Sequence, residues 1–359
     1  MENILITIDN GFSARYFLST KLIQELIIKM KGKLIIATHN NSELQYLEKE
    51  YNNKITVINF PEEPSLRFKS TILNYISIIN AFGMPNDSWG SSTWLKNELY
   101  FKKNKIGYIN RIFIKSLIKV YQNSNLLRLF IKSIHLKLLL SDSFKIILEK
   151  YKINLIILDG LSVISSLHPY WIKASKELNI KSVTIITNWD HASSKGYAGL
   201  NTSYYYVWGQ SMEKELIKFQ NISKDKIKIL GSSLFDLYSK SGFIKSSLQI
   251  KNKQLPEKYI LFITNSPTYN NNLKIVKYLR EQIADEIMLV IRLHPSFLYE
   301  SYDNRLKQHV KLSKKYNNLI YSFPSLENNT MATNMSFSEI QNSASLIAGA
   351  HIIINLGST

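Results

Sequence analysis

A chain of 359 residues with 45% hydrophobic content is long enough for two domains, each with its own core. It contains no cysteine, which excludes disulfides and thiolate metal sites and fits a reducing compartment. A net charge of +18 points to an anionic partner, such as acidic lipid, phosphorylated substrate or nucleic acid, or to an AT-rich genome favouring Lys, Asn and Ile.

The first residues, ENILITIDNGF, lack the basic region and small-residue cleavage site of a secretory signal. No uncharged apolar run approaches the length of about 18 residues that reads as a membrane span. The expected location is cytoplasmic. Along the chain, short apolar runs alternate with helical patterns. ILITI (4–8) precedes a helical pattern around 17–31; KLIIATHN (33–40) and ITVINF (55–60) follow. LIILDG (155–160) and KSVTIIT (181–187) flank a helical stretch over 165–178. Further strands are predicted in YYYVWG (204–209), KIKILGSS (226–233), KYILFITN (258–265), IMLVIRLHP (287–295), NLIYSFPS (318–325) and HIIINLGST (351–359). Helical patterns over 211–220, 271–284, 303–315 and 336–349 separate them. This rhythm predicts parallel βαβ units and two open α/β sheets. The expected division is residues 1–200 and 201–359, with the polar stretch 239–258 as a linker or surface loop. Residues 95–140 break the rhythm: they are basic, aromatic and leucine-rich at helical spacing. They read either as a helical insertion with a solvated basic face or as a segment lying on an anionic membrane surface.

In open α/β sheets, ligands sit beyond the carboxyl ends of the strands. Three such ends carry polar clusters. TNWDHASSKGYAG (187–199) holds Asp190 and His191, either of which is a candidate general base, with Trp189, Lys195 and Gly196 as loop support. IRLHPS places Arg292 and His294 two apart, on one side of a strand, as a phosphate or carboxylate site. Gly357, Ser358 and Thr359 offer a close backbone approach and hydroxyl donors to phosphate. TNSPTYNNN adds Ser266 and Thr268. Each cluster alone also reads as a polar turn or helix cap. No D-x-D, G-x-S-x-G, P-loop or G-x-G-x-x-G pattern occurs, and no His/Asp/Glu grouping has metal-ligand spacing, so no metal or cofactor is expected. No acidic cluster suited to an isomerase's proton transfers is visible either.

In order, the chain presents a Trp-containing loop with Lys195 and Gly196, G-x-x-x-F-D at 231–236, S-P-T at 266–268, R-x-H-P at 292–295, and a strand into G-S-T at 357–359. This ordered set over 185–359 resembles GT-B glycosyltransferases, most closely the CDP-glycerol glycerophosphotransferase and capsule or surface-polysaccharide transferase group. The resemblance implies two Rossmann-like domains facing a cleft. It also implies further βα units beyond Thr359, so that the C-terminal domain is read as truncated. In that group a loop of the form W-H-G-T-x-x-K-x-x-G carries a catalytic histidine. Here Trp189 and Lys195 keep the spacing, Asp190 takes the histidine position, and His191 follows it. The clean R-x-H-P match makes His294 the counterpart of the family's second histidine, near the donor phosphates. Arg292, Ser358 and Thr359 are then the groups holding the donor diphosphate. The implied enzyme is a bacterial, metal-independent transferase. It moves a glycosyl or glycerol-phosphate group from a nucleotide-diphosphate donor to a glycan or lipid-linked acceptor. It would be peripheral on the inner face of the cell membrane, with no nucleic-acid role. Two alternatives stand beside it: a nucleotide-sugar 2-epimerase-like isomerase, and a truncated GT-B module that only binds glycan or membrane.

Overall fold

A computed structural model describes residues 2–9, 11–18, 20–62, 67–84, 107–160, 167–194, 196–197, 200–235, 249–250, 253–267, 271–298, 303–324 and 337–356. The chain divides into two compact units. The first comprises Met1–Asp9 with Leu22–Ser232, and the second comprises Asn10–Lys21 with Ser233–Thr359.

The first unit is built on seven parallel strands: β1 (Asn3–Ile8), β2 (Leu34–Thr38), β3 (Ile55–Asn59), β4 (Ile153–Asp159), β5 (Lys181–Ile185), β6 (Tyr204–Val207) and β7 (Ile227–Ile229). Their order in the sheet is β3-β2-β1-β4-β5-β6-β7. This is the doubly wound order, with its crossover between β1 and β4. The central strands β1, β2 and β4 are near-continuous apolar runs, as expected of buried parallel strands; β2 is buried at every residue. One helix of the chain's first turn, α1 (Gly11–Leu18), groups with the second unit, and α2 (Leu22–Lys29) with the first. The single helix predicted around 17–31 is therefore two. The sequence predicts a division at residue 200, but β6 and β7 extend the first sheet by pairing on β5, which moves the division to 232.

Between β3 and β4 the chain makes a helical excursion. It comprises α4 (Arg67–Phe82), α5 (Tyr108–Asn123), α6 (Asn125–Leu138) and α7 (Asp142–Lys150); the short α3 (Tyr46–Glu50) lies earlier, between β2 and β3. Helices α4, α5 and α6 share a small core around Ile76, Ile79, Ile114, Ile118, Tyr121 and Ile131. Helix α6 starts at an N-cap, where the Leu127 amide donates to Ser124 Oγ at 3.2 Å. A separate core under the sheet centres on Phe144, Tyr170 and Trp171, with Phe144 stacked on Tyr170 and edge-on to Trp171. Helix α8 (His168–Glu177) joins β4 to β5, the short α9 (His191–Ser194) follows β5, and α10 (Gln210–Gln220) joins β6 to β7.

In the second unit an antiparallel ribbon, β8 (Gln249–Ile250) and β9 (Lys253–Gln254), precedes a parallel sheet. That sheet is formed by β10 (Tyr259–Ile263), β11 (Met288–Arg292), β12 (Leu319–Ser322) and β13 (Ile352–Asn355), in the order β12-β11-β10-β13. Counted within this sheet the order is again 3-2-1-4, with the crossover between β10 and β13. Helices α11 (Asn272–Gln282), α12 (Asp303–Ser313) and α13 (Phe337–Gly349) connect the strands. The core joins Phe262, Val276, Leu289, Ile291, Phe297 and Tyr321.

Candidate functional site

At the crossover of the first sheet, β1 and β4 end side by side, and a buried polar network fills the gap. The Asp159 carboxylate is 3% exposed and accepts three hydrogen bonds. They come from Thr7 Oγ1 at 2.5 Å, the Asp9 backbone amide at 2.8 Å and His168 Nε2 at 2.9 Å. The Asp159 amide donates back to Thr7 Oγ1 at 3.1 Å. Burying a carboxylate is costly unless its lone pairs are occupied; here they are. Burial pulls the His168 imidazole down. The hydrogen bond and charge of Asp159, the charge of Asp9 and the Gly160 backbone outweigh this and hold it above its ordinary value. His168 thus sits 2.9 Å from a buried carboxylate that favours its protonated form. Outward from it, Asp9 Oδ1 lies 2.6 Å from Nε2 of His39, whose side chain is 56% exposed and meets Phe60 edge-on. Strand-end residues from β1, β2 and β4 therefore form one chain of acids and imidazoles.

His191 joins this edge from β5. Gly160 follows Asp159 with φ +104°, and a Cβ placed there would meet His191 Nδ1 at 3.1 Å and Thr187 Oγ1 at 3.5 Å. Only glycine takes that backbone angle while letting an imidazole lie against it. Thr187 Oγ1 and Asn188 Oδ1 are buried beside it, and among the described residues neither atom has a hydrogen-bond partner. Buried polar atoms are nearly always paired, so such atoms at a strand end suit a ligand.

Asp190 goes elsewhere. An extended loop would send Asp190 and His191 to opposite sides by alternation. The chain instead turns, and Asp190 heads α9: its carbonyl accepts from the Ser193 and Ser194 amides, and its Oδ2 accepts from Ser194 Oγ at 2.7 Å. Its charge, after burial, helps raise Glu215 on α10, and Ser193 hydrogen-bonds the same Glu215. Of the two candidate bases, His191 lies against Gly160 at the end of β4, and Asp190 serves a helix end. Gln220 fastens the loop to α10 by donating to the Ala192 and Gly196 carbonyls at 2.8 and 2.9 Å. Gly196 takes φ +100°, and Trp189 is exposed. Lys195 lies outside the described residues.

In the second unit the end of β10 is knitted to its neighbours. The Thr264 amide donates to the Arg292 carbonyl at 3.0 Å, and Thr264 Oγ1 accepts from the His294 amide at 2.9 Å. Asn265 Nδ2 donates to the Leu356 carbonyl across the crossover at 3.2 Å. Asn272 of α11 accepts from the Asn265 amide and donates to the Asn265 and Ser266 carbonyls. His294 lies beyond the end of β11, not within it. Its Nδ1 accepts from the Ser296 amide at 3.1 Å, which fixes the neutral ring's proton on Nε2. Burial pulls the imidazole below its usual value and keeps it neutral. His294 is thus an uncharged Nε2–H donor at the carboxyl edge of the sheet.

Arg292 departs from its expected role. Its guanidinium is buried, paired with Glu339 of α13, and donates to Ser322 Oγ and Ser343 Oγ at 2.9 Å each. The carboxylate and two hydroxyls satisfy a cation that water does not reach, so Arg292 and His294 do not form one open anion site. Thr268, Gly357, Ser358 and Thr359 lie outside the described residues.

Sequence reasoning passed over Thr7, Asp9, His39, Asp159, Gly160 and His168. The signal was present as IDN, THN and LDG, each a polar residue just past an apolar run. Only the strand order shows that these ends are neighbours.

No protein-family model matches the chain, and no curated protein matches it. Solved structures do. The Staphylococcus aureus MnaA–UDP co-structure aligns with a TM-score of 0.51 at 8% identity, covering 99% of this chain and 74% of that one. A glycosyltransferase from Rickettsia africae aligns at 0.49 and 13% identity, over 98% and 72%. UDP-GlcNAc 2-epimerase from Neisseria meningitidis, bound to UDP-GlcNAc, aligns at 0.48 and 12% identity, over 98% and 77%. At these identities the likeness is one of fold: two Rossmann-like units in one chain, the GT-B arrangement.

Proposed function

We propose that the protein is a GT-B transferase. It moves a glycosyl or glycerol-phosphate group from a nucleotide-diphosphate donor to a surface-polysaccharide acceptor, without a metal ion. The observation that carries this reading is the pair of 3-2-1-4 crossovers, each lined at its carboxyl edge by polar groups suited to a bound ligand. The fold shared with a protein seen with UDP supports a nucleotide donor. The second sheet is the donor side. His294 Nε2–H donates to a phosphate oxygen, with Ser266, Thr268, Gly357, Ser358 and Thr359 as further phosphate contacts. Arg292 acts from behind, tying α13 to β11. On the first sheet His191 takes the proton of the acceptor hydroxyl, while Asp190 holds the loop. His191→Ala then lowers turnover by about 100-fold or more, and Asp190→Asn by much less.

The network of Asp9, His39, Asp159 and His168 favours a second reading. It supplies the acid–base grouping that the sequence alone did not display and that a nucleotide-sugar isomerase needs. Turnover of a nucleotide-sugar with no acceptor present distinguishes isomerase from transferase.

The test is titration calorimetry with UDP, CDP, GDP and CMP on the protein and on His294→Ala. One diphosphate should bind selectively and lose about tenfold or more in affinity in the variant, the cost of one good hydrogen bond to a charged group. Binding of no nucleotide by the protein overturns the reading.

A further inference from the structure

Helices α5 and α6 are apolar on two opposite faces. The inner face of α6 carries Ile131 and His135, packed with α4 and α5. The outer face carries Leu126, Leu129 and Phe130, spaced i, i+3, i+4 and exposed by 81%, 62% and 62%. Helix α5 repeats the design, with Ile114, Ile118 and Tyr121 buried and Ile112, Phe113 and Val120 exposed. A surface helix of a water-soluble protein shows one apolar stripe; a second stripe calls for a second apolar medium.

Charge identifies that medium. Residues 107–140 contain no Asp or Glu, and they carry Arg111, Lys115, Lys119, Arg128, Lys132 and Lys137. Exposed Lys119 adjoins Val120, and exposed Lys137 continues the stripe of Leu126, Leu129 and Phe130 through Ser133. Long cationic stems beside bulky apolar groups suit a headgroup boundary, with carbon inward and charge at the phosphates. A second copy of this chain would set the same cations against one another. Nucleic acid would leave Leu126 and Leu129 without use. The helices are too short to span: α5 has 16 residues and α6 has 14, against about 20 for a bilayer crossing. Among the described residues no helix is long and apolar enough to cross a membrane.

We propose that α5 and α6 form a docking face for an anionic lipid bilayer, with Leu126, Leu129, Phe130 and Phe113 at the acyl boundary and the exposed Lys119 and Lys137 among the headgroup phosphates. The inference stands apart from nucleotide binding and holds whether or not that reading survives.

Co-sedimentation of the full chain tests it, using phosphatidylcholine vesicles with and without about 30% phosphatidylglycerol. The protein should pellet with the anionic vesicles and stay in solution with the neutral ones. Leu126→Ser with Phe130→Ser should weaken binding by about tenfold or more. Lys119→Glu with Lys137→Glu should weaken it by about tenfold or more, and raising salt from about 0.1 to about 1 M should weaken the wild type. All four side chains are exposed, so melting temperatures should match the wild type, and lost binding then reports on the surface. Three results overturn the proposal: no pelleting with anionic vesicles, serine variants that bind like the wild type, or a lipid-free dimer that the serine variants split into monomers.

Discussion

His168 shows how a buried histidine can be tied to folding. Its neighbours hold the imidazole above its ordinary value despite burial. A group whose folded value is raised contributes stability that is fully present below its unfolded value of about 6.5. That stability is lost as pH rises through the folded value. The first unit should therefore be more stable near pH 6 than near pH 9, and His168→Gln should flatten that slope. Urea unfolding across the range measures it; an unchanged slope in the variant means His168 is not the cation paired with Asp159. None of this was readable from LHPYW, where His168 looks like an ordinary residue at a helix start. The partners Thr7 and Asp159 are 161 and 9 residues away, and only the sheet brings them together. Asp190 and His191 show the reverse limit. The loop stood out through its residue types, but which of the two faced the strand ends depended on a turn and on Gly160, far away in sequence.

At the level of elements, the strands were plain because buried parallel strands are continuous apolar runs, and KYILFITN or IMLVIRLHP needs no partner to be read. Sheet membership was not plain. YYYVWG and KIKILG look alike in either half, and only their pairing on β5 places them in the first sheet. The R-x-H-P motif was legible as a pattern but not as chemistry. Alternation predicted one shared side for Arg292 and His294, whereas β11 ends at Arg292 and the guanidinium meets Glu339 from α13. That pair makes a measurable link between strand and helix. Glu339→Ala leaves a buried guanidinium without its carboxylate and should cost about 3–5 kcal/mol. Arg292→Met combined with Glu339→Leu removes both charges and should cost less than the single change. Urea denaturation of the three variants checks the order, and equal costs for single and double variants would show that the pair is not coupled.

At the scale of the whole molecule, the sequence pointed to two α/β units, and the chain has them, each with its own sheet and core. Two cores make a single melting temperature an incomplete description, because a chain of two units can unfold in two steps. This gives a way to locate nucleotide binding without a substrate assay. Glu339→Ala should lower the transition belonging to the second unit, and His168→Gln should change the pH response of the one belonging to the first. A ligand that binds only the native state stabilises it by mass action, by about 2.7 kcal/mol at 100 times its dissociation constant. For a unit of this size that raises the transition by about 5–10 °C. If the donor diphosphate rests on the second sheet, UDP or the diphosphate that binds should raise the Glu339-sensitive transition, and His294→Ala should abolish the rise. If the phosphates are held by hydrogen bonds and backbone amides in place of a metal, EDTA should leave the rise intact. A rise that vanishes with EDTA and returns with magnesium would replace the metal-free mechanism with a metal-bridged one. A rise confined to the His168-sensitive transition would move the donor to the first sheet.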